Sequence, residues 1–354
     1  MPDSTPEAST HPAEQSVHVT CHSAFAGKEL LEVHKVVRGE LGEPHLAVLP
    51  ELPERGIWAE PLARSAALIN ELGFDLQPHG WRLGVPDGID ARRARALLRS
   101  DENLLADVLG EEKKPAERLK LSVMGPWTLS ANLYLSNGER VISDHGARRD
   151  VIQAYTLGLN DWLSRLTRTS GLKYYTVQLE ESHLGLVLDG KIPTASGYRT
   201  LRSIPRSEVR SSLQELTDAV QAQHSVNWMC AVPHTDPAWV QRVDLLTQAG
   251  VDGLIINPRA MDYQQWERMA GLVEAGGRVY LEALTPGQRP VGVVQGVNDI
   301  LKPWRTLGLP LQKLSALRLM PHGDFRASSA GEVLQSLQQL TAYAQGLEQT
   351  RVDA

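Results

Sequence analysis

Residues able to do nucleophilic, acid–base or metal chemistry recur in this chain at one kind of place, at the end of a short apolar run. Cys21, His22 and Ser23 follow VHVT, Glu51 and Glu54 follow HLAVL, and Glu180 and Glu181 close YYTVQL. Cys230 ends VNWMC with His234 just beyond, Asn257 ends GLII, Glu282 lies within RVYLEAL, and His322 follows ALRLMP. A thiolate, imidazoles and carboxylates meeting at one rim form a donor set for a borderline-soft cation such as zinc, which takes Cys, His and carboxylate ligands tetrahedrally. On that reading Cys230 and His322 are metal ligands, and His22, His234 or Glu282 is the third. The plainer reading makes Cys230 a packed core thiol and His322 a hydrogen-bonded turn residue before Gly323.

Glu180 and Glu181 are neighbours on one extended run, so their side chains point to opposite faces. That argues against a paired-carboxylate dyad and leaves one glutamate to receive a cationic group of a ligand or to form a rim salt bridge. Period-two alternation puts Trp228 on the same face as Cys230. His183 and His234 fall in loops, where solvation is the usual fate.

The elements that must position these groups are eight apolar, β-branched runs, at residues 17–22, 45–49, 120–125, 174–180, 226–232, 253–257, 278–284 and 316–322. Helical patterns lie between them. Val209, Leu213, Leu216 and Val220 form one stripe, as an amphipathic helix requires. Asp236 before Pro237 is an N-cap and first-turn pair, and Ser329 with Glu332 is a capping-box pattern. Strands alternating with helices imply a parallel sheet, because parallel neighbours need crossover connections. Eight such units close into a (β/α)8 TIM barrel, with an excursion at 75–83 and a charged helix pair inserted between strands 2 and 3. An active site in this architecture lies at the carboxyl ends of the strands, where the residues above fall. An open doubly wound sheet is the other arrangement, but no Gly-rich phosphate loop follows the first strand, so no nucleotide cofactor is expected.

The 36 Lys+Arg against 42 Asp+Glu give a net charge of -6, without the basic field that nucleic-acid binding needs. No run approaches a membrane span and the polar start has no signal-peptide hydrophobic core, so a cytoplasmic protein with no membrane partner is expected. Two distant cysteines make no disulfide framework. Residues 1–16, rich in Ser, Thr, Pro and Glu, read as a disordered polar tail. The barrel is expected over 17–349, with a short C-terminal tail at 350–354.

The segments PHLAVLPELPERG (44–56), QPHGWRL (77–83), MGPWTLSANL (124–133), GERVISDHGARRD (138–150), VQLEESHL (177–184) and PTASGYRTL (193–201) carry a resemblance. Together they resemble the cobalamin-independent methionine synthases, and in particular short, single-barrel actinobacterial relatives within the superfamily that includes uroporphyrinogen decarboxylase. The resemblance spans nearly the whole chain after the tail. It implies a barrel that binds zinc, holds the homocysteine thiol as thiolate and transfers to it a methyl group from a folate or other donor. Metal coordination is a recognised way to activate such a nucleophile. It also implies that Ser23 meets the amino-acid carboxylate, that Glu54 of Pro53–Glu54–Arg55 meets the ammonium, and that Glu180 takes the place of an aspartate after strand four.

The implied metal set is altered. The family's histidine and cysteine on strand five correspond to Trp228 and Cys230, its strand-six glutamate to Asn257 and its last cysteine to His322. The proton-donor histidine of strand seven corresponds to Ala283. Two readings follow. One is a zinc methyltransferase acting on homocysteine or a similar small thiol, with Cys230, His322 and a substitute ligand. The other is a metal-free, catalytically lapsed small-molecule-binding or regulatory member of the same fold. A porphyrinogen-type decarboxylase is excluded, since residues 17–37 contain no arginine to hold many carboxylates.

Overall fold

The computed structural model describes residues 11–84, 86–114, 116–289 and 291–354. Seven parallel strands run in the order β1 (His18–Val19), β9 (Leu317–Pro321), β8 (Arg278–Leu284), β7 (Gly253–Ile256), β6 (Ser225–Ala231), β5 (Tyr174–Glu180) and β4 (Arg118–Met124). The expected strand at 45–49 does not form a regular ladder, yet its backbone bonds both open edges. Leu46 N donates to Val19 O at 2.8 Å on one side, and Leu49 N donates to Lys120 O at 2.9 Å on the other. Glu51 N completes the seam by donating to Ser23 O at 2.7 Å. The fold is an α/β barrel of the TIM type.

Helices cover its outer face: α1 (Leu30–Glu40), α4 (Pro126–Asn132), α5 (His145–Ser170), α6 (Leu184–Asp189), α7 (Arg206–Gln221), α8 (Trp239–Gln248), α9 (Tyr263–Glu274), α10 (Val293–Thr306) and α11 (Ala330–Val352). The stripe on α7 is buried as its spacing requires, and Ser329 with Glu332 forms the capping box of α11. Helix α8 starts later than Asp236 implies, at Trp239; Asp236 instead accepts from Ala238 N at 2.8 Å and closes the preceding turn. None of the described helices is long and apolar enough to cross a membrane.

The excursion after the second strand is a short helix α2 (Pro61–Ala66), an antiparallel hairpin of β2 (Gly73–Gln77) and β3 (Gly80–Gly84), and then α3 (Ile89–Glu111). The charged segment is therefore one long helix, not a pair. It stays continuous because it buries Ala91, Ala94, Leu98, Leu105 and Leu109 as a single stripe. Gly80 opens β3 at φ 131°, and a Cβ there would meet the Tyr134 ring at 2.9 Å, so both backbone and space call for glycine.

The strand registers define two layers. Leu179, Cys230, Leu254, Val279 and Leu317 lie in one row across β5 to β9 and belong to the large core between sheet and helices. Met229, Ile255, Tyr280 and Met320, on the alternate positions, form a separate cluster inside the barrel. Part of the expected N-terminal tail is structured: Pro12–Gln15 is a 3-10 turn that carries Glu14 beneath the barrel. Glu14 pairs there with Arg118 at 2.9 Å, Arg278 at 3.1 Å and Arg318 at 2.7 Å. Residues 1–10 of that tail lie outside the described residues. At the other end α11 runs on through Val352, well into the expected tail.

Candidate functional site at the carboxyl mouth of the barrel

In a parallel barrel the side chains alternate between lumen and helical layer, so the inward set follows once one member is known. On β5 the inward residues are Gln178 and Glu180, and on β8 Glu282; His22, Asn257 and His322 follow the ends of β1, β7 and β9. The Gln178 amide nitrogen donates to the Glu180 carboxylate and lies 3.4 Å from His22 Nδ1. With that nitrogen as acceptor, the His22 hydrogen is on Nε2, which faces Glu282 Oε1 at 3.5 Å. Glu282 Oε2 accepts from His322 Nδ1 at 2.7 Å, and Asn257 Nδ2 stands 3.5 Å from the same nitrogen. A polar relay, Glu180–Gln178–His22–Glu282–His322, thus crosses the mouth.

Among the described residues neither Glu180 nor Glu282 has a Lys or Arg within salt-bridge distance; imidazoles and an amide are their partners. Burial tends to lift the Glu282 carboxyl, but the adjacent His22 imidazole and the hydrogen-bonded His322 outweigh it and hold the group below its usual range. Gln178 Oε1 and His22 Nε2 are buried with no hydrogen-bond partner among the described residues. Such groups carry a desolvation cost unless something enters to meet them. The arrangement also orients His322, whose side chain is 48 % exposed. Its Nδ1 hydrogen is committed to a carboxylate, which leaves Nε2 as the lone-pair nitrogen, an orientation suited to accepting a proton.

Below the relay lies Lys120, fully buried, with Nζ donating to Cys21 O at 2.9 Å. Burial pulls its ammonium down to about 8, against the opposing pull of Cys21, Glu180 and Glu51. Glu51 is buried 3.6 Å from Arg64; burial raises its carboxyl and the neighbouring Glu180 charge adds to this, while Arg64 works the other way. Arg64 also bonds Asp101 at 2.5 Å, and Asp101 holds Arg55 through two bonds of 2.7 Å.

The sequence-derived residues distribute unevenly over this geometry. Glu180 is at the mouth, and Ser23 Oγ is 2.8 Å from Ser122 Oγ beside it. Glu54 is exposed in the turn Pro53–Arg55; on that segment the carboxylate near Lys120 and Glu180 is Glu51. Glu181 turns the other way, as alternation demands. It accepts from Trp127 N at 3.0 Å, Thr128 N at 2.8 Å and Thr128 Oγ1 at 2.7 Å. It fills the space that a side chain at Gly125 would take. Burial pushes its carboxyl up to about 7, with those donors opposing.

Cys230 and His322 are not brought together. Cys230 sits in the outward row with Leu179 and Leu254, completely buried under the helices, as is Trp228. Its thiol is pushed up by burial and further by the negative charges of Glu181 and Glu180, the reverse of the surroundings that make a thiolate ligand. The physical reason for the mismatch is register: the inward residues of β6 are Asn227, Met229 and Ala231, and a one-residue offset on a strand exchanges its faces. His234 is exposed, with its carbonyl oxygen accepting from Gln265 Nε2 at 2.9 Å. His22 and Glu282 do converge on His322, but among the described residues no group of three or more His, Cys, Asp or Glu is disposed to hold an ion. The zinc donor set implied by the resemblance does not fit this chain.

Sequence reasoning passed over Gln178, Ser122 and Lys120. The signal was present for the first: counting back by two from Glu180 reaches Gln178 on the same face.

No protein-family model matches the chain, and no curated protein does. Solved structures with which it shares a likeness include a B12-independent methionine synthase from a Shewanella species in complex with selenomethionine, at 10% identity and a TM-score of 0.49, covering 78% of this chain and 72% of that one. Another is KGPDC from Streptococcus mutans, at 9% identity and a TM-score of 0.33, covering 92% and 98%. A mandelate oxidase variant shows 14% identity and a TM-score of 0.28, covering 72% and 71%. Likeness at this level assigns no residue a role, and the barrel rests on the chain's own strand order.

Proposed function

We propose that this chain binds a small, amino-acid-like molecule at the carboxyl mouth of its barrel, as a methionine synthase-like member that does not activate a thiol through Cys230. The observation that carries the reading is the pair of mouth carboxylates, Glu180 and Glu282, with no Lys or Arg of the described residues within salt-bridge distance of either. A ligand ammonium supplies the missing positive charge, and its N–H groups meet the unpartnered Gln178 Oε1. Ser23 and Ser122 offer hydroxyl donors for a ligand carboxylate. The outward-facing Cys230 supports this reading over methyl transfer at a zinc ion held by Cys230 and His322.

The test is thermal denaturation with methionine, homocysteine and N-acetylmethionine. Ligand that binds only the folded state stabilises it by about 2.7 kcal/mol at a hundredfold excess over Kd. Methionine or homocysteine is expected to raise Tm, and N-acetylmethionine, which lacks the ammonium, is not. Equal shifts with all three, or none with any, overturn the reading.

A further inference from the structure

We propose a second binding site, outside the barrel, for an amphipathic monocarboxylate with an apolar body. In the helical layer α9 packs against α8 and β8, whereas α10 packs against α11. The outer face of β8 is left beneath a cavity of about 520 Å³ between α9 and α10, within the range of small-molecule pockets. Its walls are apolar side chains: Leu281 and Ala283 from β8, Trp266 and Met269 from α9, Ile300 and Trp304 from α10. Apolar walls that face open space lack packing partners, which an apolar guest supplies.

Three features distinguish this from a packing fault. Tyr263 and Val291, which line the cavity, remain 70 % and 42 % exposed, so the apolar surface continues outward to an opening. Arg259, Arg289 and Lys302 also line it, and none of the three is in a salt bridge with a described residue. The one acid among the described lining residues, Asp299, accepts from Gln295 Nε2 at 2.6 Å. Cations around an apolar chamber select a guest with a single anionic head and an apolar tail, and disfavour a cationic one.

The site shares no residue with the mouth relay and does not rest on the function proposed for it. Calorimetric titration of the full chain with decanoate is expected to show saturable binding at one site. Ala283→Phe, which fills the chamber, abolishes it. Arg259→Glu with Arg289→Glu, both exposed and therefore safe for folding, weakens decanoate about tenfold, as expected for exposed charge pairs, and leaves decanol binding unchanged. Glu180→Gln leaves decanoate binding intact. Absence of saturable binding in the wild type overturns the proposal. So does undiminished decanoate binding in the double arginine variant, or in a folded Ala283→Phe.

Discussion

The two ends of the barrel handle charge in opposite ways. At the amino end Glu14 is ringed by Arg118, Arg278 and Arg318, and the outer guanidiniums have further acids of their own, Arg118 in Glu43 at 3.1 Å and Arg278 in Asp252 at 2.8 Å. At the carboxyl end neither Glu180 nor Glu282 has, among the described residues, a Lys or Arg within salt-bridge distance. Buried charge is tolerable when paired and bonded and costly otherwise. The base is thus built for stability, and the mouth holds charge in readiness for something that is not part of the chain, which matches the general division of labour in this fold.

The sharpest way to break that contrast is to remove the acid from the base. Glu14→Ala leaves three guanidiniums facing one another, and loss of one member of a buried pair costs about 3–5 kcal/mol. Urea denaturation is expected to show a loss of about that size. A loss below about 1 kcal/mol means that the ring is solvated and that the two ends do not differ.

A pH titration separates the ends by sign. Burial alone would raise the Glu14 carboxyl, but Arg318, His18 and Arg278 hold it well below its usual 4.5. The stability it contributes is therefore complete above pH 4.5 and is lost on acidification below it. Glu181, near the mouth, goes the other way. Its folded form takes up a proton at about 7 against a usual 4.5, so the folded state binds more protons between those values and stability falls as pH rises through that window. Glu181→Gln removes this loss, and the variant gains on the wild type from pH 4.5 to 7; Glu14→Gln closes its gap with the wild type below pH 4.5. Parallel stability curves across both windows contradict these assignments.

At the mouth the expected change lies in binding, not folding. Glu180→Gln and Glu282→Gln are each expected to alter stability by under about 1 kcal/mol, in either direction, because a carboxylate without a cationic partner contributes little to the fold. Both are expected to abolish the Tm rise with methionine. Retention of that rise in both variants moves the ligand elsewhere.

How much of this was legible beforehand follows from the period of each element. The barrel was readable because eight apolar runs alternate with helical stripes, and tertiary packing agreed with local pattern at α7 and at the capping box of α11. The rim short list was readable from the same topology, and His22, Glu180, Glu282 and His322 all reached the mouth. The face of each residue was harder. On β6 the signal is partial: Ser225 and Asn227 alternate with Val226 and Trp228, but the carboxyl end, Met229, Cys230 and Ala231, is apolar on both faces, so around Cys230 nothing tells lumen from helical layer. The base network was hidden for another reason: Glu14 lies in a polar stretch with little to bury, and its three arginines come from distant strands.

Cys230 offers the smallest effect and the cleanest sharpening of the contrast. As a core thiol in the outward row it acts as a small apolar group, so Cys230→Ala costs about 1 kcal/mol for a modest cavity. Cys230→Ser costs more, because a hydroxyl in that layer has few partners. A metal ligand predicts the reverse order, since serine keeps a donor atom where alanine keeps none. Denaturation of the two variants, with zinc measured in each purified protein, therefore reads orientation and chemistry together. Zinc content unchanged by Cys230→Ala, with alanine the better tolerated, leaves the thiol in the core. Zinc bound by the wild type and lost from both variants would turn that side chain into the mouth and overturn the distinction between inward and outward rows on β6.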